Sequence, residues 1–250
     1  MIEPGSWQAL DEEIAQWAAP PPLWLRDDDA TGPATAVATL LNVCDIGHVP
    51  VCLAVIPSSL DPEFSPWLAS QAASTTVIPH GLAHTNHAPE GEKKSEFGDH
   101  RSVGKISKDL CDALHRTQDA FGAQARPIFV PPWNRFGSIA GAALVGAGYT
   151  ALSAKKTQIE VTGITVIDAH IDIINWRGGP GYGGDGLILG ALRERLAALR
   201  VQGKKNEPTG ILTHHAVHDP AAWVFLETLF SRLSGKVGWL NVDEVSRVTG

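Results

Sequence analysis

The residues best suited to chemistry stand directly after short apolar runs. Asp27, Asp28 and Asp29 follow residues 23–26, His80 and His84 come after residues 76–79, and His214 comes after residues 210–213. Apolar runs of this length are typical of buried strands. Carboxylates and imidazoles are costly to bury there without charge partners. We therefore predict one shared site at the carboxyl ends of several strands, with a metal ion at its centre.

The three adjacent carboxylates must be separated by a cation, a proton or the backbone, because like charges at this spacing repel. Side chains alternate along a strand, so Asp27 and Asp29 would share one side and Asp28 the other. A bend in the chain would change this and bring two of them together. The alternative is a solvated turn in which Asp29 caps the following helix.

His80 and His84 have the spacing of zinc-protease ligands, but those enzymes carry a glutamate directly after the first histidine. Gly81 stands at that position, which excludes the protease motif. One carboxylate and two imidazoles still make a metal set with open positions, and His87 is a third candidate. The alternative is a polar loop with incidental histidines.

His214 is suited to general acid–base work, because the pKa of imidazole lies near physiological pH. It ends the apolar run 210–213, so a satisfied core histidine is the alternative. The segment from Pro132 to Arg135 is a proline-stiffened turn, in which Trp133 could form one wall of a pocket.

Two other patterns point to different chemistry. His170 and Asp172 match the His-x-Asp part of an iron oxygenase triad, but those enzymes usually have an all-β fold. Residues 178–186 contain Gly-x-Gly-x-x-Gly, a dinucleotide-binding pattern. So dense a run of glycines produces chance matches, and a flexible loop over the site is the better interpretation.

The segments that must position these residues alternate between strand-like apolar runs and helical patterns. Asp219 and Pro220, for example, form a capped start for a helix that extends to Leu233. Such an order predicts a parallel sheet, either open or closed into a barrel. A length of 250 residues suits a single α/β barrel.

Composition excludes some classes of function. The net charge is -7 and no basic run exceeds two lysines, so binding to nucleic acid through a basic face is not expected. The first five residues lack the basic and apolar regions of a signal peptide, and no stretch is long enough to span a membrane. We expect a cytoplasmic protein with no membrane partner. The sequence does not indicate an oligomeric state.

Five short motifs occur in a fixed order along residues 23–215. They are Asp28-Asp29, His80-x-x-x-His84, Pro132-Trp133, Asp172-Ile173-Ile174-Asn175-Trp176 and Leu212-Thr213-His214. This ordered set resembles the polysaccharide deacetylase (carbohydrate esterase, NodB-like) family, and especially its short, divergent bacterial members. The resemblance implies a single catalytic domain over residues 1–250. Its fold would be a distorted (β/α) barrel of about seven parallel strands, with the metal at their carboxyl ends.

The resemblance also implies roles for particular residues. Asp28 would be the catalytic base, His214 the general acid, and Asp29, His80 and His84 the metal ligands. Asp27 as base with Asp28 as ligand is the other possible alignment. Zinc is the expected metal, with cobalt, manganese and iron as alternatives. The substrate-binding candidates are Asp27, Pro132, Trp133, Asn134, Arg135, Asp172 and Trp176.

The chain departs from the family pattern in two of its motifs. Val130 stands where the family has an arginine that orients the base, and Asn175 replaces an aspartate. Arg26 or Arg135 could substitute for that arginine. The implied activity is metal-dependent hydrolysis of an N-acyl, or acetyl, group on a sugar or related amide. The alternatives are an amidohydrolase of a small cytoplasmic metabolite and a catalytically silent carbohydrate-binding relative.

Overall fold

The computed structural model describes residues 3–157, 159 and 161–250, which alternate between parallel strands and helices. The helices are α1 (Trp7–Ile14), α2 (Thr35–Ile46), α3 (Phe64–Ala69), α4 (Val103–Phe121), α5 (Ser138–Ala143), α6 (Asp185–Val201), α7 (Pro220–Leu233) and α8 (Val242–Thr249). The strands are β1 (Pro22–Ala30), β2 (Val51–Val55), β3 (Thr75–Pro79), β4 (Ile128–Phe129), β5 (Ala151–Leu152), β6 (Thr165–Val166), β7 (Ala169–Asp172), β8 (Ile174–Asn175), β9 (Gly181–Tyr182), β10 (Thr209–Thr213) and β11 (Gly238–Trp239).

The strands form a main parallel sheet and a smaller one that continues it. The main sheet has the order β3-β2-β1-β10-β7, with β11 as a sixth strand beside the start of β1. The smaller sheet has the order β4-β5-β6. Parallel bridges from Val77 to Ala125 and from His80 to Val130 join β3 to the β4 segment.

The ring closes because β6 leads directly into β7. The N–H of Ile167 donates to the carbonyl of Leu152 at 2.9 Å, and that of Ala169 donates to the carbonyl of Ala154 at 2.8 Å. Seven parallel segments therefore follow one another around the ring: β1, β2, β3, β4, β5, β6 with β7, and β10. The predicted α/β barrel is confirmed, with six strands in its main sheet.

Side chains at the start of β1 point alternately into the barrel interior and toward the surrounding helices. Trp24 packs in an interior cluster with Ile78 and Val130. Val242 and Val245 of α8 belong to the same cluster. The intervening residues Leu23 and Leu25 face the opposite way, into the core between sheet and helices. Because all seven segments run in parallel, the residues at their carboxyl ends meet at one end of the barrel.

Candidate active site

The three carboxylates lie within β1, and the backbone sends them to different places. Asp27 continues the outward-facing series, while Asp28 continues the inward-facing series of Trp24 and Arg26. Asp29 breaks the alternation with a φ of 73°, at a point where the β1–β2 pairing shifts register. That left-handed residue turns its carboxylate into the same cleft as Asp28. The bend therefore brings Asp28 and Asp29 together and leaves Asp27 out.

Asp27 lies behind the cleft and is fully buried. Its carboxylate accepts hydrogen bonds from the backbone N–H of His215 at 2.8 Å and from Nδ1 of the same residue at 2.5 Å. Burial alone would lower the pKa of His215, but the charge and hydrogen bond of Asp27 raise it above its ordinary value. Asp27 does not line the cleft, so this geometry supports neither its predicted substrate contact nor its alternative role as base.

Asp28 is held by a buried arginine from its own strand. The guanidinium of Arg26 contacts both carboxylate oxygens of Asp28, through Nε at 2.8 Å and Nη2 at 3.0 Å. The same guanidinium donates to the Asn134 side chain at 2.9 Å and to the carbonyl of Ser153 at 2.9 Å. The family position for this arginine holds Val130, which packs in the barrel interior. Of the two arginines considered from the sequence, Arg26 is the one that the structure places against Asp28.

Asp29, His80 and His84 form the group in the described part of the chain that could hold a metal ion. Oδ1 of Asp29 lies 3.3 Å from Nε2 of His80 and 3.5 Å from Nε2 of His84. One candidate ligand atom from each of the three lies within 4.8 Å of the other two. His87, the third candidate histidine, is exposed and does not join this group.

The electrostatics of this group favour an ionised aspartate. Burial by itself would raise the pKa of Asp29, but the nearby imidazole of His80 and its charge, with charges from His214 and His84, hold it well below its usual range. Burial lowers the pKa of His84, and the charge of His80 lowers it further. Burial would lower the pKa of His80 as well, but the charges of Asp28 and Asp29 raise it above its ordinary value. The ionised state of Asp29 is the one in which a carboxylate binds a metal.

A buried glutamate braces the loop that carries the two histidines. The carboxylate of Glu96 accepts the backbone N–H of Ala83 at 2.8 Å and that of Leu82 at 3.2 Å. Gly81 has a φ of 60°, and a Cβ there would lie 2.1 Å from Oε2 of Glu96. Only glycine therefore allows the glutamate to approach the backbone between the two histidines. The sequence analysis missed Glu96, which is separated from His84 by eleven residues.

His214 approaches the same oxygen of Asp28 that Nη2 of Arg26 contacts. Its Nε2 is 3.8 Å from Oδ2 of Asp28, and its ring meets the edge of Trp176 at 4.7 Å between centroids. Its Nδ1 is buried and makes no hydrogen bond within the described residues. This placement leaves the imidazole able to exchange a proton with a group in the cleft.

Trp176 is fixed by a hydrogen bond to Asp172. The indole N–H donates to Oδ2 of Asp172 at 3.0 Å, and Lys155 lies 3.5 Å from the same oxygen. The opposite wall is Trp133, whose ring is 4.3 Å from that of His84. Trp133 and Asn134 both have positive φ, so the turn after β4 is held in a strained conformation.

These residues converge on one open cleft with a volume of about 1030 Å³. The predicted residues that line it are Asp28, Asp29, His80, His84, Trp133, Asn134, Arg135, Asp172, Trp176 and His214. Pro132 is buried against Gly81 beneath the cleft floor. Arg26 could have been found from the two-residue alternation alone, since it must share a face with Asp28. Ser153 carries no sequence signal of this kind.

The rival iron triad is not assembled. His170 and Asp172 share a face of β7, but Nδ1 of His170 accepts the backbone N–H of Gly210 at 2.9 Å. Burial, with the charges of Arg195 and Lys156, lowers the pKa of His170 to about 3. Within the described residues it joins no candidate metal group.

No protein-family model and no curated protein matches the sequence. Among the described residues, no helix has both the length and the apolar character needed to cross a membrane.

Solved structures, in contrast, match over nearly the whole chain. A candidate polysaccharide deacetylase from Mycobacterium smegmatis is 14% identical with a TM-score of 0.60, over 94% of this chain and 92% of that one. A family 4 acetyl xylan esterase from Clostridium thermocellum, in complex with a cobalt ion, is 16% identical with a TM-score of 0.53, over 90% of each chain.

A family 4 carbohydrate esterase pseudoenzyme from Bacillus anthracis is 16% identical with a TM-score of 0.56, over 92% of this chain and 66% of that one. The resemblance predicted from the five motifs is thus confirmed at the level of the fold. Since both enzymes and a pseudoenzyme share that fold, activity must be argued from the residues of the cleft.

Proposed function

We propose that this protein is a metal-dependent hydrolase that removes an N-acyl group, such as acetyl, from a sugar or a related amide. It would act on carbon–nitrogen bonds other than peptide bonds, with residues 1–250 as one catalytic domain. The observation that carries the proposal is that one cleft contains both a candidate metal set and a candidate acid–base pair. The metal set is Asp29, His80 and His84. Beside it, Arg26 holds the carboxylate of Asp28, and Nε2 of His214 lies 3.8 Å from that carboxylate. The resemblance in motif order and in fold supports the proposal.

The residues present fit a divalent metal ion. Oδ1 of Asp29 is buried, makes no hydrogen bond within the described chain, and faces the Nε2 atoms of His80 and His84. Three ligands with open positions are typical of catalytic zinc sites, and cobalt, manganese and iron also accept this set. When bound, such an ion supplies a Lewis acid that lowers the pKa of water and polarises an acyl oxygen.

The residues of the chain would divide the remaining work. Asp28 accepts the proton of the attacking water, and Arg26 contacts both of its oxygens and so fixes the orientation of the carboxylate. His214 donates a proton to the leaving amine as the C–N bond breaks. Trp133 and Trp176 form two aromatic walls, on which a sugar ring would stack.

The catalytically silent alternative loses its main sequence argument. The absence of any arginine near Asp28 would favour this alternative, but Arg26 contacts that carboxylate at 2.8 Å. This contact supports Arg26 as the residue that would orient the base. Soluble N-acetyl sugars, polymeric substrates and small acyl amides can be compared in one deacetylation screen, which separates the sugar substrate from the small metabolite.

The metal set and the acid can be tested in one experiment with two readouts, elemental analysis and acetate release. We expect Asp29→Ala and His80→Ala to lose both metal and turnover. His214→Ala should retain the metal and lose about 10²-fold in turnover, the usual scale for a general acid. His87→Ala is the matched control, an exposed histidine on the loop of His84. Full metal content in Asp29→Ala would show that the assigned site is wrong, and an unchanged rate in His214→Ala would remove its role as acid.

A further inference from the structure

Three basic residues form a cationic patch beside the metal set: Lys93, Lys94 and Arg135. Lys93 and Arg135 line the cleft. Nζ of Lys94 lies 5.9 Å from the centroid of the Trp133 ring, which in turn packs against His84. One aromatic ring therefore separates the patch from a candidate metal ligand.

The basic side chains of the patch are not paired with carboxylates among the described residues. Within residues 3–157, 159 and 161–250, none of the three makes an ion pair with an N–O distance of 4.0 Å or less. Most carboxylates of the cleft are already engaged, and Asp99, for example, accepts the N–H groups of Ser138 and Ile139 at the start of α5. Glu92 is exposed and offsets one charge, so the patch keeps a positive excess.

Hydrogen bonds within the loop, and one to the turn after β4, fix the position of the patch. The side-chain oxygen of Asn86 accepts the N–H of Ala88 at 3.1 Å and that of Ser95 at 3.0 Å. Arg135 donates to the carbonyl of Lys94 at 3.2 Å, which ties the loop to the turn after β4. A preformed loop spares a ligand much of the entropic cost of ordering it.

We propose that the cationic patch binds a negatively charged group of the substrate, a carboxylate or a phosphate, so that the substrate is an anionic N-acyl amino sugar. This inference rests on the proposed function. The sugar ring would lie along Trp133, with the acyl group toward His84 and the anionic group toward Lys93 and Arg135. Arginine binds both anions through paired N–H groups, and lysine adds a point charge. The patch is notable in a chain of net charge -7, whose overall field would repel an anion.

The test compares kcat/KM for N-acetylglucosamine with that for N-acetylglucosamine 6-phosphate and N-acetylmuramic acid, using the metal-loaded protein. We expect at least one anionic sugar to be preferred about tenfold, a preference that shrinks as salt screens the charges. Lys93→Gln should lower the anionic-to-neutral ratio several-fold. Lys236→Gln is the control, since that lysine pairs with Asp11 and does not line the cleft.

Equal kcat/KM for neutral and anionic sugars, or an unchanged ratio in Lys93→Gln, would overturn the inference while leaving the proposed function standing. If none of the three sugars is turned over, the assignment of a sugar substrate fails, and the patch is then judged by calorimetric binding of the same three sugars. Tighter binding of an anionic sugar that weakens in Lys93→Gln would support the patch. The absence of any such preference would overturn it.

Discussion

The carboxyl end of the barrel carries buried histidines and the amino end a partly buried one, and strained or unpaired groups are more numerous at the carboxyl end. At the carboxyl end, five of the six described non-glycine residues with positive φ line the cleft: Asp29, His84, Trp133, Asn134 and Lys156. Oδ1 of Asp29 and Nδ1 of His214 are buried there without hydrogen bonds among the described residues. At the amino end, His170 borders a smaller cavity of about 480 Å³, and its Nδ1 is paired with the backbone.

The difference shows where the fold tolerates residues whose local conformation lowers the free energy of unfolding. A left-handed backbone at a residue other than glycine, or an unpaired buried polar atom, lowers stability by about 1–3 kcal/mol and persists only where the surroundings impose it. Such features concentrate at the end where the strands of an α/β barrel present functional residues. The amino end has fewer of them: His48 has a positive φ before β2, and the indole N–H of Trp239, beside the start of β1, is buried without a partner among the described residues. Three variants test this contrast.

The largest effect is expected from Arg26→Met. Arg26 and Asp28 are both fully buried, so removing the arginine leaves an uncompensated carboxylate in the barrel. Breaking a buried ion pair in this way costs about 3–5 kcal/mol of unfolding free energy, measurable by urea denaturation. Arg195→Met is the matched control at the amino end, where a partly exposed arginine pairs with Glu207 at 2.9 Å and should cost about 1 kcal/mol or less.

Two further variants separate charge from orientation at this position. Arg26→Lys keeps the charge but lacks the planar fork that holds both oxygens of Asp28, so it should fold and lower kcat more than it raises KM. The double variant Arg26→Met with Asp28→Asn removes the stranded charge and should recover part of the lost stability. Equal unfolding free energies for Arg26→Met and Arg195→Met would contradict the contrast between the two ends.

A smaller effect is expected from Glu96→Gln. The amide keeps one acceptor oxygen, so it cannot accept the N–H groups of both Leu82 and Ala83 as the carboxylate does. The loop of His80 and His84 would then be less fixed, and metal affinity should fall about tenfold, as when other groups that orient metal ligands are removed. Chelator competition measures this. Glu92→Gln, an exposed carboxylate on the same loop, is the control, and equal affinities in the two variants would remove the bracing role of Glu96.

Much of the fold, and the convergence of the motifs, was predictable from the sequence because both rest on local periodicity. The alternation of strands and helices predicts the barrel, and polar residues at strand ends predict the cleft. The directions in which Asp27 and Asp29 point were not predictable, because a single positive φ at Asp29 interrupts the two-residue alternation of side chains. The pairing of Asp27 with His215 depends on residues 188 positions apart. No local pattern encodes such contacts.

The smallest effect concerns the pH dependence of stability at the amino end. Burial, with the charges of Arg195 and Lys156, lowers the pKa of His170 from 6.5 to about 3 in the folded protein. Between these values the unfolded chain binds a proton that the folded chain does not, so the contribution of His170 is complete above pH 6.5 and is lost as the pH falls toward 3. At pH 5 the loss should be about 1–2 kcal/mol relative to pH 8.

His170→Gln does not titrate and keeps an acceptor for the N–H of Gly210, so its unfolding free energy should fall less steeply between pH 8 and pH 5. The difference from the wild type isolates His170, because the histidines of the cleft titrate in both proteins. His115→Gln, an exposed histidine on α4, should follow the wild-type curve. If His170→Gln follows it as well, His170 takes up its proton in the folded state. The amino end would then tolerate a buried charge, as the carboxyl end does, and the contrast between the two ends would be one of backbone strain alone.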